Sequence, residues 1–576
     1  MGDTEYATLQ EAINNANGGT VTLLADVNES VTIAESAFVT LELGGFTLTN
    51  AANQHTITNN GVLTIQGAGT VDNISHVKGA LVNYGTATLN GGNITRSQDK
   101  GTSAGANGNS WYTIFNQGSL SINAPTAVSQ NGGSFSSLIE NGWPNGYAGG
   151  TATLNITGGT FTDGINAVKN DEGGDLTITG GTFKGDNTAV MNWNVAVING
   201  GEFSSTNGYA LSNGSYLPDN GSIGQLTVNG GTFTSGNGGT NPLFGEGVGH
   251  GDNGSIVLNG GQFTGTVDNA LDGSSLVILP DATVTDSSGN PATLPEGTKA
   301  VAQVDGAYYT SLDAALAAAA TAADKTVTLL GTIEVDKPVE ITVEGVTVTG
   351  GELKPSAGFA PNGDNGSIVT VKANNVTLSG VTVDAGNNAN AKYAVQFYVV
   401  SGGNIVNSTI IANQSYAAVL LNGSQASVES TGFVLPAGCY AAIELSKGSG
   451  VTAEPEITLG KDLSLKGSDG ANLGMDKLVC VDLAPTGDEK LTADLVKFAE
   501  GASLNGSSIM LSDNGELVVK PTPTPDPQPE TPAATPAPAP VLDSTPKTGA
   551  VAAFALLPLA GLGLAALGVA AKRKEQ

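Results

Sequence analysis

A glycine pair followed by phenylalanine recurs along this chain and constrains its fold more than any other feature. The copies read LNITGGTF, LTITGGTF, AVINGGEF, LTVNGGTF and IVLNGGQF, and they end at Phe161, Phe183, Phe203, Phe233 and Phe263. Successive phenylalanines are therefore 22, 20, 30 and 30 residues apart. Self-similarity at a period of roughly 20 residues indicates a stacked solenoid in which each copy forms one rung.

The residues around each glycine pair predict how a rung is built. An alternating apolar segment precedes each pair and is typical of a β-strand. We therefore expect Leu176, Ile178 and Phe183 to point inward and to stack on their equivalents about 4.8 Å away in the next rung. Adjacent glycines permit a sharp corner with positive φ. Neither a directly adjacent lysine nor a helix start follows them, so the pair is not a phosphate-binding loop.

A second repeated motif lies between the glycine pairs. It reads NAVKND, TAVMNW, YALSNG and NPLFGE. Each rung therefore offers at least two short strands separated by glycine corners.

The body of the chain contains two copies of one plan. Residues 6–13, YATLQEAI, match residues 309–316, YTSLDAAL, and VTLL follows in both, at Val21 and at Val327. We expect copy one to occupy residues 1–290 and copy two to occupy residues 299–519.

Each copy opens with a predicted short amphipathic helix. Thr8 and Ser311 are good N-caps for these helices, and Thr8 with Glu11 fits a capping box. A helix over the first open rung is one way in which solenoids protect an end.

This pattern resembles the right-handed parallel β-helix of the pectate-lyase-like superfamily. The resemblance covers residues 20–290 and, more loosely, 327–519. It implies an all-β solenoid. A leucine-rich repeat lacks support because no L-x-x-L-x-L-x-x-N pattern appears. A β-sandwich array is the main rival, but it needs hairpin turns at regular short spacing.

The C-terminal region reads as a spacer followed by a membrane-targeted tail. Residues 520–543 are rich in proline and predict an extended spacer that cannot pack a core. Within residues 544–576, an uncharged and mostly apolar run at 550–571 is long enough to cross a bilayer. The basic residues 572–574 follow it and favour the cytoplasmic side.

This tail resembles the sorting signal by which sortase attaches Gram-positive surface proteins to peptidoglycan. Pro546, Lys547, Thr548 and Gly549 match the family pattern Leu-Pro-x-Thr-Gly, whereas Thr545 replaces the leucine. The resemblance implies cleavage after Thr548 and a covalent link from Thr548 to the cell wall. Sortase and peptidoglycan would then be partners, and the protein would be extracellular. The alternative is an ordinary single-pass anchor that stays in the membrane.

The N-terminal residues disagree with an exported protein, because MGDTEYATLQ shows neither the basic nor the apolar region of a signal peptide. We follow the tail for the predicted location.

Charge and cysteine content narrow the function classes. The chain has 52 acidic and 22 basic residues and a net charge of −30. Nucleic acid is therefore excluded as a partner, since phosphate binding needs a basic surface. Cys439 and Cys480 cannot form a disulfide framework or a four-ligand zinc site. They are either two small buried residues or a single disulfide pair.

Enzyme signatures of β-helix relatives are incomplete, so no catalytic residue is assigned. Arg96 is the only arginine of the body, and Asp99 is the lone aspartate near it. The tripeptide GHG around His250 occurs without the NTD, DD and RIK motifs of polygalacturonase-like hydrolases. Asp163 and Asp186 follow equivalent phenylalanines and are candidate rung neighbours, although both also suit turns.

No cofactor or metal site is predicted either. The recurring DNGS at Asp219, Asp252 and Asp364 is typical of turns, with Ca²⁺ ligation as the alternative. His55, His76 and His250 are too scattered along the chain to suggest a metal site.

An aromatic insertion gives the best candidate binding site. Residues 100–149 break the rung pattern, and all three tryptophans of the chain lie in or near this segment. Aromatic rings stack on sugar faces, and a solenoid side offers a groove. The alternative is that these rings pack loops onto the stack. The candidate glycan-binding residues are Trp111, Tyr112, Trp143, Tyr147 and Trp193.

Three functions therefore remain open. The first is a wall-anchored adhesin or display module that binds host or plant glycans. The second is a wall-anchored polysaccharide lyase or glycosidase with a carboxylate site in copy one. The third is a passive stalk. We expect the first, with the membrane touched only by the C-terminal segment before cleavage.

Overall fold

The computed structural model describes residues 4–16, 18–97, 111–131, 136–143, 151–214, 224–246, 254–267, 275–362, 366–386, 388–448, 450–483 and 490–521. Within these ranges the protein is all-β and consists of short parallel strands stacked in a β-helix-like repeat. Three short helices interrupt the strands: α1 (Leu9–Asn15), α2 (Gly236–Gly239) and α3 (Leu312–Ala318).

The first group of strands, called stack one, runs to residue 285. Its strands in chain order are β1 Thr20–Thr22, β2 Val27–Asn28, β3 Val31–Ile33, β4 Phe38–Glu42, β5 Thr47–Thr49, β6 Ile57–Asn59, β7 Val62–Gln66, β8 Thr70–Asp72, β9 Leu81–Asn83, β10 Thr86–Asn90, β11 Asn93–Arg96, β12 Ile114–Asn116, β13 Ser119–Ile122, β14 Ala127–Gln130, β15 Ile139–Asn141, β16 Ala152–Ile156, β17 Thr160–Asn170, β18 Gly174–Ile178, β19 Thr182–Asn192, β20 Val195–Ile198, β21 Glu202–Ser205, β22 Tyr209–Asn213, β23 Gln225–Val228, β24 Thr232–Thr234, β25 Phe244–Glu246, β26 Ser255–Leu258, β27 Gly261–Thr264, β28 Ser275–Ile278 and β29 Ala282–Thr285.

Stack one has three faces, so a full rung contributes three strands rather than the minimum of two predicted from the sequence. The first face is an 11-stranded parallel sheet that runs from β1 through β4 and β7 to β28. The second face begins at β2 and the third at β3, and both belong to an 18-stranded sheet. The long strands β17 and β19 turn the corner and join the second face to the third.

The core of stack one confirms the predicted phenylalanine ladder. The rings of Phe161, Phe183, Phe203, Phe233 and Phe263 stack in register with centroids 4.5 to 4.7 Å apart and are buried. The second glycine of each pair has φ between 110° and 120°, as at Gly181 with 115°. A side chain is strained in this region, so glycine is required at the corner.

The second group of strands, called stack two, follows from residue 302. Its strands are β30 Ala302–Val304, β31 Ala307–Tyr309, β32 Thr326–Leu329, β33 Thr332–Val335, β34 Val339–Ile341, β35 Thr347–Thr349, β36 Glu352–Pro355, β37 Ser367–Val371, β38 Thr377–Ser379, β39 Thr382–Asp384, β40 Tyr393–Tyr398, β41 Gly403–Val406, β42 Thr409–Ile411, β43 Val419–Asn422, β44 Gln425–Glu429, β45 Gly432–Leu435, β46 Ile443–Ser446, β47 Glu456–Leu459, β48 Ser464–Gly467, β49 Val479–Asp482, β50 Val496–Phe498, β51 Ser503–Leu504, β52 Ser507–Leu511 and β53 Leu517–Val519.

Stack two also has three parallel faces. They run from β32 to β50, from β33 to β48 and from β34 to β49. An antiparallel strand, β30, adds to the edge of β32, and β31 pairs with β30. The antiparallel strands β51, β52 and β53 follow the last rung.

Both predicted N-terminal helices are present and carry the predicted caps. The Thr8 hydroxyl accepts a hydrogen bond from Glu11 N at 3.2 Å, and the Ser311 hydroxyl accepts one from Ala314 N at 3.4 Å. Helix α1 contacts β3 and helix α3 contacts β34, which are the first strands of the third face in each stack.

The two stacks are joined by backbone hydrogen bonds. Ile278 N, in the last rung of stack one, donates to Thr298 O at 2.8 Å, and Ala300 N donates to Ile278 O at 2.9 Å. Lys299 thus extends the first face of stack one in a parallel direction. The segment between the two predicted copies, residues 291–298, therefore leads the backbone of stack one directly into stack two.

The two cysteines are both free, so the disulfide alternative is wrong in this structure. Cys439 is buried and its thiol donates to the Tyr416 carbonyl oxygen. Cys480 lies on β49 opposite Glu444 on β46. Burial raises the pKa of Cys439 to about 11 and that of Cys480 to about 12.

Candidate ligand-binding face on stack one

The third face of stack one carries an unusual outward row of side chains. Strand residues alternate between the two sides of a sheet, so each rung places one outward residue between a core residue and an asparagine. In register, the outward row is Val82, Phe115, Glu140, Lys169, Met191 and Ser212. Val82, Phe115, Glu140, Met191 and Ser212 are buried, and Lys169 is nearly so. The outer side of this face is therefore covered.

Three ionisable groups, those of Glu140, Lys169 and Asp171, meet at the centre of this row and are called the ion cluster. Lys169 Nζ lies 2.9 Å from Glu140 Oε1 and 2.6 Å from Asp171 Oδ2. The side chains of both acids are 0% exposed. The Trp193 ring covers the ammonium group, with Nζ 4.4 Å from the ring centroid. A lone buried charge would be costly, so each of these groups depends on the others.

The protonation states follow from burial. Burial raises the pKa of the Glu140 carboxyl well above its usual range, more than the Lys169 charge lowers it. Burial also opposes the charge of Lys169, but Glu140, Tyr112 and Asp171 outweigh it and raise its pKa. No described donor meets Glu140 Oε2, although this oxygen is buried.

A group of stacked rings, called the aromatic cluster, lies beside the ion cluster. It consists of Trp111, Tyr112, Phe115 and Trp143. The Trp111 ring is 5.2 Å from Phe115 and 6.5 Å from Trp143, which it meets nearly in parallel. Phe115 and Trp143 meet edge to face at 5.4 Å. Trp143 is 39% exposed, so its ring reaches the surface while it packs on Trp111 and Phe115.

Tyr112 and His55 border the aromatic cluster and are both neutral near pH 7. Burial, and then the Glu140 charge, raise the pKa of the Tyr112 phenol, so it keeps its proton. Burial and then Lys78 lower the pKa of His55 to about 4. The His55 Nδ1 atom accepts a hydrogen bond from Gly79 N at 2.9 Å, and its ring lies 5.8 Å from Trp111.

A ladder of asparagines holds the rungs of this face in register. Each Nδ2 donates to Oδ1 of the next asparagine at 2.7 or 2.8 Å, and the members are Asn59, Asn83, Asn116, Asn141, Asn170, Asn192 and Asn213. These side chains are buried. The ladder places Glu140 and Lys169 in adjacent rungs, one position before Asn141 and Asn170.

The structure brings four of the five predicted glycan-binding residues together on one face. Trp111, Tyr112 and Trp143 form the aromatic cluster, whereas Trp193 is only 4% exposed and packs on Lys169. Tyr147 lies outside the described residues. The ion cluster was missed by the sequence reasoning. Its signal was the repeated motif NAVKND, in which Lys169 directly precedes an asparagine of the ladder.

The other acidic and basic candidates that the structure describes are Asp163, Asp186 and Arg96. Asp163 and Asp186 lie on opposite sides of the paired residues Gly164 and Gly185, so they are not direct rung partners. Arg96 is fully buried, with Nη1 3.5 Å from Ser136 Oγ, and burial lowers its pKa to about 10. Asp99, Asp219, His250, Asp252 and Asp364 lie outside the described residues.

The described part of the chain contains no group of three or more His, Cys, Asp or Glu side chains placed to hold a metal ion. Within the same residues, no helix has the length and apolar character needed to span a bilayer. The predicted sorting motif, residues 545–549, and the predicted span, residues 550–571, fall outside the described ranges. No protein-family model matches the chain, and no curated protein is similar enough to be counted as a relative.

Proposed function

We propose that the chain is a cell-wall surface protein whose first stack binds neutral glycans. In this proposal, stacks one and two are tandem right-handed parallel β-helices, each with an N-terminal capping helix. Residues 520–543 would be the spacer, and the sorting motif at 545–549 would link the protein to peptidoglycan. Support comes from the repeated first-rung sequence, the two capped helices and the composition of the tail.

The observation that carries the binding proposal is the Trp143 ring, which is exposed on a rigid base. Trp111 and Phe115 pack against it, and the ion cluster fixes the adjacent rungs. Rings that are already held in place lose little conformational freedom when a sugar stacks on them. The net charge of −30 disfavours anionic glycans, so neutral sugars are the expected ligands.

A glycan array probed with the labelled full chain tests this proposal. We expect Trp143→Ala to weaken binding about tenfold, which corresponds to about 1.4 kcal/mol. Trp111→Ala should act in the same direction. Phe38→Ala is the matched control, because Phe38 is an exposed aromatic residue on the first face of the same stack. Binding that survives both tryptophan substitutions would rule out this site.

Cell fractionation tests the anchor separately. We expect the full chain to be released from purified cell walls only by enzymes that digest peptidoglycan. Thr548→Ala should move it from the wall fraction to the membrane or the medium, whereas Thr535→Ala in the spacer should not. Wild-type protein found entirely in the membrane fraction would instead support the single-pass anchor.

One observation favours the enzyme as a second candidate function. Glu140 and Asp171 both contact the Lys169 ammonium nitrogen, at 2.9 and 2.6 Å, so two carboxyl groups lie close together, and a pair of carboxyl groups is what glycosidases use. Both side chains are fully buried, however, so a substrate would first have to displace their cover. Reducing-sugar release that is abolished by Glu140→Gln, with binding retained, would establish this alternative.

A further inference from the structure

The first strand of stack one has a free edge where its counterpart in stack two is covered. Strand β1 ends the 11-stranded sheet and pairs with β4 on one side only among the described strands. Its counterpart β32 pairs with β35 on one side and with the antiparallel strand β30 on the other. The two stacks therefore differ at the same structural position.

The sequence correspondence defines this position residue by residue. The segment VTLL starts at Val21 in one copy and at Val327 in the other, so Leu24 corresponds to Leu330. The matching helix segments likewise show that Tyr6 corresponds to Tyr309 in the sequence. The contacts that Leu330 and Tyr309 make in stack two are therefore the ones that Leu24 and Tyr6 lack in stack one.

In stack two, strand β30 fills the space between helix α3 and β32. Ala302 lies opposite Leu329, and the Leu330 amide donates to the Val301 carbonyl at 2.9 Å. Val301 N in turn donates to Tyr309 O at 2.9 Å. Ala302 and Val304 are buried there. Small apolar side chains at alternate positions of β30 thus complete the core below the helix.

In stack one the same space is a groove of about 1060 Å³ between helix α1 and β1. Leu9 and Ala12 line it from the helix, and Val21 and Leu23 line it from the strand. Leu24 is 67% exposed, whereas Leu330 is half-buried. The apolar side chains that line the groove are therefore in place, but no described strand covers them.

The backbone of β1 also presents free donors to this groove. Leu23 N donates to Glu42 O on β4 at 3.0 Å. Because successive amides of a strand point to opposite edges, the Thr22 amide points into the groove. The Leu24 amide lies just beyond β1 and corresponds to the Leu330 amide, which donates to the added strand in stack two. Unpaired edge groups of this kind are a template for an added strand.

We propose that this groove is a strand-acceptor site that takes one extended peptide antiparallel to β1. The occupant has the chemistry of β30 and its flanks, with small apolar residues at alternate positions, as in AVAQV at residues 300–304. Asp26 and Glu29 line the groove, so a basic residue beside the apolar segment, such as Lys299 in the stack-two sequence, adds a favourable charge. The site lies apart from the glycan-binding face and does not depend on it.

The test uses the full chain and a synthetic peptide with the sequence of residues 298–309, TKAVAQVDGAYY. We expect saturable binding by fluorescence anisotropy and at least tenfold slower hydrogen exchange at the Thr22 and Leu24 amides. The control peptide has proline in place of Gln303, which removes a backbone donor within the strand. It should bind at least tenfold more weakly.

Three results would overturn the proposal. They are absence of binding at millimolar peptide, equal binding of the proline peptide, and protection that appears elsewhere while Thr22 and Leu24 exchange unchanged. Equal binding of the proline peptide would show that the groove takes apolar chains without strand pairing.

Discussion

Replacing Lys169 by methionine tests whether the ion cluster supports the third face. The substitution keeps most of the packing under Trp193 but removes the one cation that lies between two fully buried carboxylates. Removing one partner from a buried ion pair costs about 3–5 kcal/mol. We expect Lys169→Met to lower the free energy of unfolding by this amount at pH 7.

The pH dependence of this loss follows from Glu140. Burial raises its pKa in the folded protein above the unfolded value, so the folded state holds a proton that the unfolded state releases as pH rises. The stability from this group is fully present below the unfolded pKa and is lost as pH rises through the folded pKa. Without the Lys169 charge, which lowers it, the pKa of Glu140 in the folded protein rises further. The loss of unfolding free energy caused by Lys169→Met should therefore become smaller as the pH is lowered.

Tryptophan fluorescence during urea unfolding measures this effect locally. The chain has three tryptophans, and all of them lie in the aromatic cluster or over the ion cluster. Lys184→Met is the control, because Lys184 is exposed on β19, the strand that pairs with the Lys169 strand β17. This substitution should change the free energy of unfolding by less than about 0.5 kcal/mol. Glu140→Gln added to Lys169→Met should restore part of the loss. A loss below about 1 kcal/mol at pH 7, or one independent of pH, would refute the reasoning.

Three further predictions concern the ladders and the thiols. Asn141→Ala should destabilise stack one by about 2–4 kcal/mol in urea unfolding, because it removes the buried acceptor of Asn116 Nδ2 and the buried donor to Asn170 Oδ1. Asn229→Ala in an exposed asparagine row should cost less than about 1 kcal/mol. Phe203→Ala should cost about 3–5 kcal/mol in the same assay, and a loss below about 2 kcal/mol would mean that its stacked neighbours collapse into the gap. Cys439 and Cys480 should react with a thiol reagent at pH 8 on the order of 100-fold more slowly than a free cysteine until the protein is unfolded, because burial raises both pKa values.

Much of the fold could be predicted from the sequence because a stack repeats its own contacts. Phe183 meets Phe203 in the structure since both follow the same glycine corner, and the corner recurs at the period of a rung. The capped helices at Thr8 and Ser311 were likewise predictable from local chemistry. Local patterns of this kind need no knowledge of distant contacts.

The candidate site was only partly predictable, because its contacts depend on how loops lengthen each rung. Glu140 and Lys169 are 29 residues apart, which differs from the spacing of the glycine pairs, so the period alone does not align them. Trp193 belongs to the predicted aromatic set, but the sequence does not show that it packs on Lys169. That contact depends on the pairing of Asn170 with Asn192 in the asparagine ladder, which is visible only in the structure. The sequence predicts at least two strands in each rung, and the third strand follows only from the strand pairing in the structure.

The phenylalanine and asparagine ladders keep one register while the rung length changes from 20 to 30 residues. The extra residues between Phe203 and Phe233 leave the phenylalanine ladder unbroken, whereas the asparagine ladder ends at Asn213, which lies opposite Glu246 in the next rung. A gene that encodes such a stack can gain or lose a whole rung by unequal recombination, or can lengthen one connection, without re-optimising the rest. Changes in rung length are thereby confined to the corners, and the same inner architecture can carry different outer surfaces.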